Sequence, residues 1–377
     1  MASPFELFCD LLFAAVFAAL AEHLGDDLSW PRLSAFVGLF VPVFWLWVIY
    51  TFYADRYDTD DALQRLITLT GMLALCALAT AAVRTPGSGD ILFVGSYLAA
   101  RAAPAALYLR SARRVSAARP IARNYLIGSL LAAGVWVTAT AGFSAPYRYW
   151  GWVLAVTTEL ALPFVGRRTV ARTDRHVDHL TERYGLLAII VIGEAVLGVI
   201  NGFTNQPWTA ARVVTATGCF TVAAALWWTY FNRGDHTPIG SHFWRLQIFS
   251  LGHLPATAAL TAIGPGAATL IRHANDPHPS QLAAVCLGGG AATYLAATAA
   301  VRSAFTTPRE SVVVSRMAAV IVIVALTLAA TLLTPAIFTS LLTAILVLLV
   351  TAEGRALNQP EPRGQTSQHA DQPVAGQ

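Results

Sequence analysis

The chain has 377 residues, 56% of them hydrophobic and only 12% charged, with a formal net charge of +4. Soluble domains carry roughly 25% charged residues, so this composition excludes an ordinary water-soluble protein. Every cationic side chain is Arg; the lack of Lys excludes retinal or pyridoxal Schiff-base chemistry and the phosphate-gripping Lys of a P-loop.

A bilayer core of about 30 Å is crossed by roughly 20 apolar helical residues. Such runs lie at 5–24, 33–53, 63–83, 91–110, 123–143, 147–167, 183–202, 210–231, 243–263, 281–301, 312–332 and 335–352. They are continuous rather than alternating, which excludes barrel strands and predicts an all-α polytopic membrane protein of about twelve crossings. The first run carries Glu6 and Asp10 one turn apart on one face. These acids, without a basic leader, argue against a cleaved signal peptide. The second run ends on Trp45, Trp47 and Tyr50, which with Trp227, Trp228 and Tyr230 predict an interfacial aromatic belt. The following Asp55, Asp58, Asp60 and Asp61, beside Arg56, predict a helix start and salt-bridge cluster, with a cation site as the alternative. Arg101 lies in the fourth run, Glu159 in the sixth and Glu194 in the seventh. The ninth run is the weakest, diluted by Gln247, Ser250 and His253, and Pro255 predicts a kink beside that imidazole. Gly288, Gly289 and Gly290 weaken the tenth. The tail after about Glu353 is rich in Gln, Pro and Gly and is expected to be disordered.

Arg accumulates in cytoplasmic loops. With the N-terminus inside, the inner loops hold Arg56, Arg65, Arg110, Arg113, Arg114, Arg119, Arg123, Arg167, Arg168, Arg172, Arg175 and Arg183. Arg233, Arg245, Arg302, Arg309, Arg316, Arg355 and Arg363 follow, against only Arg32, Arg84, Arg148, Arg212 and Arg272 outside. Both termini are therefore expected in the cytoplasm, and the loop Arg residues are read as topological rather than nucleic-acid-binding. The four Cys are scattered through apolar runs and read as small buried hydrophobes. His176 and His179 lack the acidic or Cys neighbours of a metal site, and no metal or cofactor is expected.

The halves share an order of features. Trp45-Leu-Trp-Val-Ile-Tyr50 answers Leu226-Trp-Trp-Thr-Tyr230, Leu63-Gln-Arg-Leu66 answers Phe243-Trp-Arg-Leu246, and Leu109-Arg-Ser111 answers Val301-Arg-Ser303. Six crossings per half predict two parallel pseudo-repeats, 1–170 and 171–355, followed by a tail at 356–377.

An ionisable residue deep in the bilayer costs about 2.5–3.5 kcal/mol on insertion scales and is a functional candidate. Arg101, Glu159, Glu194 and His253 fall near the expected midplane, and Arg101 with Glu159 reads as a structural ion pair. Glu194, in Gly185-Leu-Leu-Ala-Ile-Ile-Val-Ile-Gly-Glu194, needs a partner or a proton, and a structural and a functional role fit equally. His253 reads first as a packing histidine.

These stretches resemble the bacterial low temperature requirement A (LtrA) family of polytopic membrane proteins. The resemblance rests on Glu6-Leu-Phe-Cys-Asp10-Leu-Leu-Phe13, Tyr50-Thr-Phe-Tyr53 with the Asp residues and Arg65 after it, and Glu182-Arg-Tyr-Gly-Leu186 leading to Gly193-Glu194. Leu226-Trp-Trp-Thr-Tyr-Phe231 and Gly252-His-Leu-Pro255 also fit. Cys9 stands where the family usually has an aromatic, and Ala195 where it tends to have Ser. The resemblance implies a multi-pass protein of the bacterial plasma membrane and raises Glu6, Asp10, Glu182 and Glu194 above the other acids. It implies no settled activity.

Architecture then favours a transporter or channel-like protein, with a proton-coupled site between the halves drawn from Asp10, Glu194, His253 and Arg101. The alternative is a non-transporting sensor or assembly component whose buried carboxyls are structural. An enzyme ranks last, since the chain lacks a nucleophile elbow, a His-Glu-x-x-His and a paired protease Asp. The expected partners are the lipid bilayer and an unknown small solute or ion.

Overall fold

A computed structural model describes residues 3–57, 61–167, 177–232, 243–305 and 310–358. Among them are twelve long helices: α1 Pro4–Asp26, α2 Trp30–Tyr57, α3 Ala62–Ala82, α4 Asp90–Arg114, α5 Arg119–Gly142 and α6 Tyr147–Val165. The second set is α7 Val177–Phe203, α8 Ala210–Phe231, α9 Phe243–Arg272, α10 Gln281–Arg302, α11 Glu310–Leu328 and α12 Pro335–Asn358. Eleven are long and apolar enough to cross a membrane. The exception, α6, has 19 residues, and Arg148, Glu159 and a run of aromatic rings dilute its apolar content.

Local chemistry sets the helix starts. Ser3 and Glu6 form a reciprocal capping box, in which the Glu6 amide donates to the Ser3 hydroxyl at 3.2 Å and Glu6 Oε2 accepts from the Ser3 amide at 2.8 Å. Asp61 caps α3 and also receives Arg110 and Arg114, so the expected helix-start and salt-bridge cluster is present there. Asp58, Asp60, His176 and the tail from 359 onward lie outside the described residues.

Neighbour order is similar in the two sets. α1 packs on α2 and α3, α3 on α4, α4 on α5 and α5 on α6; α7 packs on α8 and α9, α9 on α10, α10 on α11 and α11 on α12. The sets meet where α1 and α2 touch α7 and α9. Exposed positions on outer helices are apolar, among them Leu130, Ile321, Leu328 and Leu332, a surface that is stable only against lipid.

Three expectations need correction. The ninth run is no weak segment: α9 has 30 residues and is the most buried span, so its polar residues face protein rather than lipid. Trp45 and Trp47 are buried rather than interfacial, because α2 is covered from both sets; Trp227 and Trp228 do face outward. Helix α12 runs to Asn358, past the expected tail boundary, because Glu353 is buried in an ion pair with Arg316.

Helices α7 and α9 approach closely through small residues. A Cβ on Gly198 would stand 2.4 Å from the Gly264 backbone, and one on Gly202 would stand 2.8 Å from Ala268. Gly193, on the same helix, faces open space. Gly198→Ala should therefore destabilise by about 1–3 kcal/mol through overpacking, while Gly193→Ala should be neutral or slightly stabilising. Thermal melts in detergent check this; equal midpoints for the two variants would contradict the contact. In α10 the expected weak glycine stretch is one turn of π-helix at Val285–Gly289, where Gly288 lies against Thr327 and Phe338.

Candidate functional site

Among the described residues, three clusters of buried charge bear on a candidate site. The first lies within the first set. Arg101 of α4 and Glu159 of α6 form an ion pair at 3% and 0% side-chain exposure. Glu159 Oε2 also accepts from the Tyr97 hydroxyl at 2.6 Å, and Oε1 accepts from Trp136 Nε1 at 3.0 Å. Arg101 further donates to Tyr97 at 3.3 Å and to Ser129 at 3.4 Å, and its guanidinium stands over the Tyr125 ring. The carboxylate is thus filled on both oxygens, whereas Arg101 Nε has no hydrogen-bond partner among the described residues.

Arg101 and Glu159 border a cavity of about 120 Å³ between the sets. Helix α2 contributes Trp45, Phe52 and Arg56, α4 adds Tyr108, α5 adds Tyr125, and α9 closes it with Gln247 and Ser250. These stretches belong to the later turns of α2, α4 and α6 and the first turns of α5 and α9. They therefore place the cavity toward the bundle end that carries the N-terminus.

The second cluster crosses the seam. Asp10 of α1, fully buried, accepts from Arg183 of α7 at 2.5 Å and from Trp47 Nε1 at 2.8 Å. Glu6 lies 3.6 Å from Arg183 and 3.5 Å from His179, and His179 stands 3.7 Å from Asp55. The charge pattern predicts a loop position for Arg183; the helix instead begins earlier, at Val177, and draws this Arg inside to meet Asp10. Glu182, on the adjacent position of α7, is half-buried. A small cavity lined by Glu6, Cys9, Gln64 and Arg183 adjoins the cluster.

The third cluster centres on Arg316 of α11, which the charge pattern also assigns to a loop and which is 1% exposed. It is forked onto Glu353 at 2.7 and 3.0 Å and bonded to Thr298 and the Thr229 carbonyl. Arg212, assigned to an outer loop, is buried as well. It donates to the Ile271, Arg272 and Pro207 carbonyls, closing the end of α9.

The remaining expected residues do not join the cavity. His253 Nδ1 meets the Phe249 carbonyl at 2.7 Å and Nε2 meets the Tyr230 hydroxyl at 2.9 Å. A carbonyl only accepts, so Nδ1 carries the proton and the ring is held as a packing histidine, with Tyr184 and Phe249 against it. Glu194 is half-buried on α7, with Glu22 of α1 nearby, and makes no hydrogen bond or ion pair among the described residues. No metal-type cluster of His, Cys, Asp and Glu occurs among the described residues. Tyr97, Trp136 and Tyr125, which complete the Arg101 site, had no sequence signal beyond being polar-tipped aromatics in apolar runs.

The model of the bacterial low temperature requirement A protein (LtrA) family matches residues 1–351. An uncharacterised protein of Rhizobium meliloti (strain 1021) is 26% identical over 321 residues, covering 78% of this chain and 75% of that one.

Proposed function

Because the chain belongs to the bacterial low temperature requirement A family, with eleven helices fit to cross a membrane, we propose that it is a transporter or channel-like protein of the plasma membrane. Its solute site is the cavity between the helix sets. The observation that carries this reading is Arg101 Nε, a donor on a side chain only 3% exposed, without a partner among the described residues and beside that cavity. A donor so placed is costly unless something polar reaches it. Sites between helix sets are where alternating-access proteins bind solutes. The similar neighbour order of the two sets supports reading them as parallel pseudo-repeats, 1–170 and 171–355. The Arg bias supports both termini facing the cytoplasm.

Filling the cavity tests the proposal without touching its charges. Val48→Trp should reduce solute flux in proteoliposomes by about tenfold or more while leaving the melting midpoint near wild type. No flux by the wild type across a broad panel of ions and solutes, or equal flux in the variant, sinks the proposal.

Glu194 favours a second reading, as an assembly component. A half-buried carboxyl at the edge of an apolar helix face wants a basic or protonated partner, and Glu22 beside it sharpens that need. On this reading Glu194→Gln keeps any flux but loses a defined membrane complex.

A further inference from the structure

We propose that the cavity between the helix sets, taken as the solute site proposed above, binds a small organic mono-anion, a carboxylate on a compact apolar or aromatic body.

Charge sets the sign. Among the residues that line the cavity, the ionic ones are Arg56, Arg101 and Glu159, two cations against one anion. Glu159 is already held by Arg101, Tyr97 and Trp136, so its charge is cancelled and both its oxygens are filled. The second positive charge, on Arg56 of α2, has no ion-pair partner among the described residues; this guanidinium bonds to Tyr108 and stands 5.2 Å over the Phe52 ring.

The open hydrogen-bonding groups agree. Arg101 Nε and Arg56 Nε are buried donors without a partner among the described residues. The Tyr125 hydroxyl, beside Ser129, and the Ser250 hydroxyl, beside Tyr184, complete no hydrogen bond of proper geometry. Guanidinium groups only donate and hydroxyls can donate, so the missing partner is an acceptor. A planar carboxylate is the acceptor that matches a guanidinium edge best.

Size and walls limit the rest of the molecule. The cavity is about 120 Å³ and only partly enclosed; an enclosed one of about 150 Å³ holds benzene, so the enclosed part takes a carboxylate and part of a compact body. Trp45, Phe52, Tyr108, Ile49 and Leu162 supply an apolar and aromatic lining. A short branched-chain acid, or benzoate with part of its ring at the opening, fits; a nucleotide or a sugar phosphate does not. A cation would meet Arg56, which has no ion-pair partner among the described residues, and find no free acceptor on Glu159.

Benzoate, isovalerate, benzamide and benzylamine, titrated against the full chain in lipid nanodiscs and followed by Trp fluorescence, test the class. Benzoate should bind at least about tenfold more tightly than the neutral isostere benzamide, and benzylamine should not bind. Arg56→Gln, which leaves the Arg101–Glu159 pair intact, should weaken benzoate by about tenfold and leave benzamide unchanged. Ser250→Ala and Tyr125→Phe should weaken benzoate more mildly, and melting curves confirm that each variant is folded. Equal binding of benzoate and benzamide, or benzoate binding indifferent to Arg56→Gln, overturns the proposal. If benzoate fails to bind while proteoliposomes carry another solute through the Val48→Trp-sensitive route, the ligand class falls and transport stands. If neither occurs, both fall.

Discussion

Arg316→Met should destabilise the protein by about 3–5 kcal/mol, one of the two largest effects expected of a single substitution here. The guanidinium reaches Glu353 with two bonds, Thr298 with a third and the Thr229 carbonyl with a fourth. One side chain thereby ties α8, α10, α11 and α12. Removing it strands a carboxylate that is 1% exposed. The loss comes mostly from that stranded charge, so Arg316→Met combined with Glu353→Leu should recover most of the stability. Arg316→Lys keeps the charge but loses the planar fork, and should fall between wild type and Met. Melting midpoints of the four proteins in one detergent decide it. A single Met variant as stable as wild type, or a double variant no better than the single, would contradict a paired origin of the effect.

This cluster also marks the boundary of what the sequence reveals. Class and approximate helix count were legible because about 20 consecutive apolar residues match the thickness of a bilayer core. The Arg101–Glu159 pair was legible as two opposite charges at similar expected depth. Arg316 and Arg183 were not, since a positive residue near a helix end satisfies the topological rule whether it faces water or a carboxylate. The clue for Arg316 was its place inside an apolar run, Val312-Val-Val-Ser-Arg316-Met-Ala-Ala-Val320, too deep for a loop. The aromatic belt failed at Trp47 for a related reason: a Trp near a helix end reads alike in an interface or under a second helix. Only the packing of α2 against both sets buries it. Glu194 lies between these cases: Ile189, Gly193 and Leu197 of its apolar stretch are exposed while Val191, Ile192 and Ala195 are buried, so depth along the chain leaves the carboxyl half-buried at the edge of the packed face of α7.

Arg183 and Asp10 carry the other large effect, and its asymmetry distinguishes a seam from an ordinary helix contact. Asp10→Asn keeps the side-chain shape and leaves Arg183 with Glu6 at 3.6 Å, so the cation retains a partner. The expected cost is about 1.5–3 kcal/mol, the range for a hydrogen bond to a charged group. Arg183→Met leaves Asp10 at zero exposure with Trp47 as its remaining bond among the described residues. It also strands Glu6 Oε1, while Oε2 keeps the Ser3 amide and a His179 that is shared with Asp55. That variant should cost about 3–5 kcal/mol. Because the pair joins α1 to α7, the loss should open the junction between the sets before it melts either one. Hydrogen exchange should therefore rise first in α1, α2 and α7, while α11 and α12, held by Arg316 and Glu353, keep their protection. Uniform loss of protection would mean that the two sets unfold as one body and that the seam has no separate stability. Protection lost at α1 and α7 alone would make the Arg183–Asp10 bond the latch between the two helix sets.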